Sequence, residues 1–225
     1  MVVLVLDPSE QADVIRRRKE SDCDRFDEVW DGVYVASPNP NLEHQGVGTA
    51  LATVLTIAIG WTGLGHVFQG VNVSDREDDW EHNYRIPDVA VYLQGNPARA
   101  CVTHWFGGPD LAFEIVSPND RCREKPPFYA SIRTRELMIV DRDPWALEFY
   151  RLQGATLVLI GTSNLEQPTL LASAALPMSF RLRPGGKTPP DRGGPCRRRP
   201  ALVRLARRRG PDALSRPSDR GSTVA

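Results

Sequence analysis

Two short stretches, Arg85-Ile86-Pro87-Asp88-Val89-Ala90-Val91-Tyr92 and Asp110-Leu111-Ala112-Phe113-Glu114-Ile115-Val116-Ser117-Pro118, each set a carboxylate within an otherwise apolar run. Burying even a neutral polar group without a partner costs roughly 2–7 kcal/mol, so an acid in such a run needs a compensating partner. Period-two alternation puts Val89, Val91 and Leu93 on one face of the first strand and Asp88, Ala90 and Tyr92 on the other. In the second strand Leu111, Phe113 and Ile115 oppose Ala112, Glu114 and Val116. If the strands are neighbours, Asp88 and Glu114 converge on a space that small residues leave open, which suits a divalent cation and a phosphate. With the Ile115 carbonyl they offer hard oxygen ligands of the kind Mg²⁺ or Mn²⁺ takes while keeping several waters. Phosphodiester hydrolysis needs a polarised phosphoryl oxygen, a deprotonated water and a stabilised leaving oxygen, and a lysine nearby would steady the developing charge.

The elements that must position these groups read as mixed α and β. Residues 9 to 22 are charged and form a short helix at best. A hairpin follows, Phe26 to Trp30 and Val33 to Ala36, turning at Asp31-Gly32 and ended by Pro38 and Pro40. Leu42 to Trp61 carries Val47, Leu51, Val54, Leu55, Ala58 and Ile59 at helical spacing, broad enough to pack on a sheet. Strands are expected at about 65 to 74, 85 to 93, 110 to 117 and 136 to 141, with a helix over Asn119 to Arg133 capped by Ser117 or Asn119. A last hairpin, Leu147 to Tyr150 and Thr156 to Ile160, turns at Gln153-Gly154. That order predicts an α/β core with a central mixed sheet and a helix on each face.

Composition bounds the rest. At 225 residues, 41% hydrophobic and 25% charged, the chain supports one core plus an appendage. We divide it into an N-terminal segment 1–24, a domain 25–180 and a tail 181–225. Cys23, Cys101, Cys122 and Cys196 form no zinc-spaced cluster, so reduced thiols and a cytoplasmic location are expected. The opening apolar run stops at Asp7-Pro8, too short for a signal peptide or a membrane span. The formal charge of zero hides an asymmetry: from Arg181 onward there are 13 Lys and Arg against 3 Asp and Glu, leaving the body acidic. Segment 184–225, rich in Pro, Gly and Arg, reads as disordered. Two readings of it stay open, an arm that gathers phosphates or a stretch without selected function such as a frame-shifted extension.

Taken in order, Glu28-x-x-Asp31-Gly32 with Ser37-Pro38, Glu43-His44-Gln45, Arg85-Ile86-Pro87-Asp88-Val89, Phe113-Glu114-Ile115-Val116-Ser117-Pro118, Lys125 with Tyr129, and Glu136-Leu137-Met138-Ile139-Val140-Asp141 resemble the Uma2 family, a branch of the PD-(D/E)XK nuclease superfamily. The resemblance runs over roughly residues 25 to 160. It implies a restriction-endonuclease-like fold, a Mg²⁺ or Mn²⁺ site at Asp88 and Glu114, and DNA as partner, with a homodimer left open. The superfamily lysine stands two residues after the glutamate, where this chain has Val116. The resemblance implies that Lys125 takes its place, although Pro126 and Pro127 follow directly, so either a helix restarts at Pro126 or Lys125 is displaced. His44 is either a neighbour of the metal site or an ordinary helix-start histidine. Glu28, Glu43 and Asp141 carry the same pair of readings, and Tyr129 reads as packing. The expected function is a metal-dependent endonuclease; the alternative is an inactive domain of the same fold that binds nucleic acid or a partner.

Overall fold

The computed structural model describes residues 3–5, 7–118, 121–184 and 201–202. Its centre is a six-stranded sheet in the order Thr156–Asn164, Trp145–Gln153, Glu136–Arg142, Leu111–Ile115, Val89–Leu93, Gly65–Gln69. The pair Leu111–Ile115 and Glu136–Arg142 is parallel and the others are antiparallel, so the sheet is mixed as expected. The Asp88 and Glu114 strands are neighbours, with Val89 opposite Phe113 and Ala90 opposite Ala112.

Alternation along these strands builds two cores. Val89, Val91, Leu111, Phe113 and Ile115 join Val47, Leu51 and Leu55 of helix α2 (Leu42–Leu55) on one face. Ala90, Tyr92 and Ala112 join Phe128 and Tyr129 of helix α3 (Pro126–Ser131) on the other. The room beside the two alanines thus goes largely to aromatic packing. Asn41 starts α2 by accepting the His44 backbone N–H at 2.9 Å. The helix expected to reach Trp61 changes to a wider π turn over Thr56–Gly60.

Two expectations need correction around α3. The helix is six residues long instead of spanning 119–133, preceded by a 3₁₀ turn at Cys122–Glu124. Pro126 opens it, where a missing N–H costs nothing, so the helix restarts after Lys125 and that lysine occupies the N-cap position. Ser117 therefore does not take that position, and Asn119 lies outside the described residues.

A second sheet of seven short strands was only partly legible. The expected hairpin, Glu28–Trp30 with Val33–Ala36, lies between Val3–Val5 on one side and Tyr84–Arg85, Val73–Ser74, Trp105–Phe106 and Arg99–Ala100 on the other. Two expected continuous strands break to supply it. The run 65–74 breaks at Gly70, whose φ of +63° a side chain would resist, and the run 85–93 breaks at Ile86-Pro87-Asp88. Asp88 therefore stands where the chain crosses from one sheet to the other.

The N-terminal segment forms a 13-residue helix, α1 (Pro8–Glu20), longer than its composition alone suggests. Val14 and Ile15 pack against Val5, Tyr34 and Ala36, and Arg18 reaches Asp27, so tertiary contacts supply what local propensity lacks. Of the tail 181–225, residues 181–184 and a two-residue strand, Ala201–Leu202, are described; the strand pairs with Leu182–Arg183, which the sequence pattern did not suggest. The rest of the expected disordered segment lies outside the described residues. No helix among the described residues is long and apolar enough to cross a membrane.

Candidate active site

Three elements bring charge to the end of the Asp88 and Glu114 strands. Glu114, 3% exposed, points from its strand toward α3. One of its oxygens accepts from the Tyr129 hydroxyl at 2.5 Å and the other from Lys125 Nζ at 2.9 Å. The same ammonium donates to Glu28 Oε1 at 2.9 Å. Lys125 is only 8% exposed, so the helix restart at Pro126 carries it into the interior. Glu28 comes from the hairpin of the second sheet, where its two oxygens also accept from the Ile86 backbone N–H and the Trp30 indole, each at 2.7 Å.

Asp88 approaches the same space from the crossover. Its Oδ2 accepts from the Ile115 N–H at 2.6 Å, which ties the two acid-bearing strands together. Its Oδ1 lies 3.3 Å from His44 Nε2, at the start of α2. Asp88, Glu114, Glu28, His44 and Lys125 line one cavity of about 80 Å³, which Phe26 and Ile86 also line. Three carboxyl groups face one lysine there, close enough for their charges to bear on one another.

That crowding shows in the acidity of the groups. Burial, reinforced by the charges of Glu28 and Asp88 and opposed by Lys125 and Tyr129, pushes Glu114 up to about 8. The Tyr129 hydroxyl is raised well above the usual phenol range by burial and by Glu114. Arg85, 4% exposed, lies over the Trp30 ring at 4.5 Å and the Phe128 ring at 4.2 Å, joining the second sheet to α3. Burial lowers its pKa.

Of the residues singled out from sequence, Asp88, Glu114 and Lys125 meet around this cavity with His44 and Glu28. Glu43 and Asp141 do not; they pair with Arg142 and Arg123. Tyr129 packs as expected, but its hydroxyl also holds Glu114, a role the packing interpretation missed. Lys125 and Tyr129 are four residues apart, the spacing that puts two side chains on one helical face, and that was the available signal. Among the described residues no group of three or more His, Cys, Asp or Glu side chains is arranged to cage a metal ion.

A mixed sheet with helices on both faces is the architecture expected of the restriction-endonuclease-like class. The fold is shared with a crystal structure described as a putative nuclease belonging to DUF820 from Anabaena variabilis, with a TM-score of 0.53 and 18% identity over 65% of this chain and 80% of that one. The Uma2 family, described as putative restriction endonuclease, matches residues 16–185, and the chain belongs to that family. No curated protein matches the chain.

Proposed function

We propose that this protein is an endonuclease that hydrolyses phosphodiester bonds in DNA with Mg²⁺ or Mn²⁺ at Asp88 and Glu114. The observation that carries the proposal is the meeting of two acids from adjacent strands with a buried lysine around one small cavity. The donor set fits the ion. Mg²⁺ needs only one or two carboxylates and keeps several waters, and each carboxylate oxygen here retains a lone pair beyond the hydrogen bond it accepts. When bound, the cation supplies Lewis-acid polarisation of the phosphoryl oxygen and neutralises charge on the departing oxygen.

The protein's own groups do the remaining work. Asp88 and Glu114 hold and orient the ion. Lys125 places a fixed positive charge beside the scissile phosphate, held in position by its hydrogen bonds to Glu28 and Glu114. Glu28 and Tyr129 keep Lys125 and Glu114 in place through the hydrogen bonds described above. His44, 3.3 Å from Asp88, is positioned to exchange a proton at its Nε2. The case for an inactive domain rests on Val116, the Pro126-Pro127 interruption and the acidic body; the first two weaken because Lys125 reaches Glu114 by another route, while the acidic body still favours that alternative.

The test is Mg²⁺- or Mn²⁺-dependent cleavage of plasmid and single-stranded DNA by the full chain, beside Asp88→Ala and Glu114→Ala proteins verified as folded. Cleavage by the wild type that disappears in both variants is the expected result. An inactive wild type that binds no Mn²⁺ by calorimetry overturns the proposal.

A further inference from the structure

A second cavity, about 410 Å³, lies beside the candidate active site between α1 and the second sheet. Asp27 and Val29 line it, whereas Phe26 and Glu28 line the first cavity, so the segment that leads into the strand Glu28–Trp30 borders both chambers. Ile86 lines both, and the two chambers meet there. From this arrangement we infer that the second cavity receives one nucleotide of the bound DNA strand, its base extruded past Ile86 while the adjoining phosphate sits at Asp88 and Glu114. This inference rests on the nuclease reading of the first cavity.

The chemistry of the walls suits such a ligand. Trp80 and Tyr84 bring aromatic surface, with their ring centroids 5.1 Å apart. Trp80 is already stacked on the His104 imidazole, 4.9 Å away at 14°, which holds the indole in a fixed plane. Stacking against a held aromatic ring is the usual way a protein binds an unpaired base. Lys19 and Arg25 also line the cavity and form no ion pair among the described residues, so both charges remain available for phosphate. Glu81 offers an acceptor for an exocyclic amino group of the base.

The two chambers also differ in how they treat charge. Lys125 in the first is held by Glu28 and Glu114, while Lys19 is exposed on the surface of α1. A site for an ion needs fixed charge in a small volume. A site for a nucleotide needs ring surface, hydrogen-bonding edges and room, and only the second cavity combines them.

The test uses the full chain with short duplexes in which 2-aminopurine, a base carrying an exocyclic amine, replaces each position in turn, with Ca²⁺ in place of Mg²⁺. At one position next to the cleavage site the fluorescence should change on binding, and Trp80→Ala should remove that change and weaken binding about tenfold, in line with the cost of losing one stacked base. Lys19→Ala, an exposed substitution that leaves packing intact, should also weaken binding. A Trp80→Ala protein that keeps both the signal and the affinity overturns the inference even if Mn²⁺-dependent cleavage is normal. Wild-type binding of free nucleoside monophosphates with no position-specific signal in DNA also overturns it, pointing to an effector pocket. Loss of cleavage in Asp88→Ala reports on the nuclease reading separately.

Discussion

Both ends of the central strand pair Leu111–Ile115 and Glu136–Arg142 bury carboxylates, yet they are built differently. At one end Asp110, 1% exposed, accepts from the Leu93 N–H and Asn96 at 2.8 Å and from Arg135 at 2.9 Å. Beside it Glu136, also 1% exposed, accepts from Arg151 at 2.8 Å, the Ala174 N–H at 2.9 Å and the Ser173 hydroxyl. Their arginines extend toward solvent, and neither acid lines the two cavities described above. At the other end Glu114 shares one buried lysine with Glu28 and borders a cavity that Asp88 also enters. Burial and pairing alone therefore do not mark a functional acid. What separates the two ends is an open volume on which several carboxyl groups converge around a single lysine.

The largest effect that would sharpen this contrast is on cleavage. Asp88→Ala or Glu114→Gln should lower Mn²⁺-dependent cleavage by about 10³-fold, and Lys125→Met by about 10²-fold, the range for removing a fixed charge from a reacting centre. Circular dichroism of the same preparations should match the wild type. Equal losses from Glu136→Gln, with the fold intact, would break the contrast.

Glu136→Ala should instead act on stability. It frees the Ala174 N–H and the Ser173 hydroxyl and leaves Arg151 without its carboxylate, a loss on the order of 3 kcal/mol in a urea titration. Partial exposure of Arg151 keeps the figure at the lower end for a broken buried pair.

A smaller effect is expected from Tyr129→Phe, which removes one hydrogen bond to Glu114 while keeping the ring. Mn²⁺ affinity measured by calorimetry should fall by about tenfold, as for other groups that orient a ligand.

The smallest effect concerns pH. Because the folded pKa of Glu114 is raised to about 8 from an ordinary 4.5, the fold retains a proton that the unfolded chain releases. That contribution to stability is complete below the unfolded value and disappears as pH rises through the folded one. In EDTA the wild-type urea midpoint should decline between pH 5 and 8, and Glu114→Gln should flatten the decline. An unchanged slope would show that Glu114 ionises normally in the fold.

Much of this architecture was legible in sequence because it depends on short-range periodicity. Alternation assigned Val89, Val91, Leu111 and Phe113 to one face and Ala90 and Ala112 to the other, and the structure keeps those assignments. The spacing of Val47, Leu51 and Leu55 likewise identified α2. The second sheet was harder to read because most of its strands are two or three residues long, too short for a pattern. The expected strands 65–74 and 85–93 ran through Gly70 and Pro87, because nothing local indicated that the chain would enter a new sheet at those points.

By itself, the sequence determined which faces of the central strands are apolar, singled out Asp88, Glu114 and Lys125 as candidates, and placed Asp88 and Glu114 together if their strands pair. Tertiary structure alone decided that Lys125 and Glu28, 97 positions apart, share one hydrogen-bonded pair, that Tyr129 holds Glu114, and that the segment 26–29 borders two cavities. The reason is physical: alternation and helical spacing act over a few residues, whereas a buried ion pair depends on where separate elements pack.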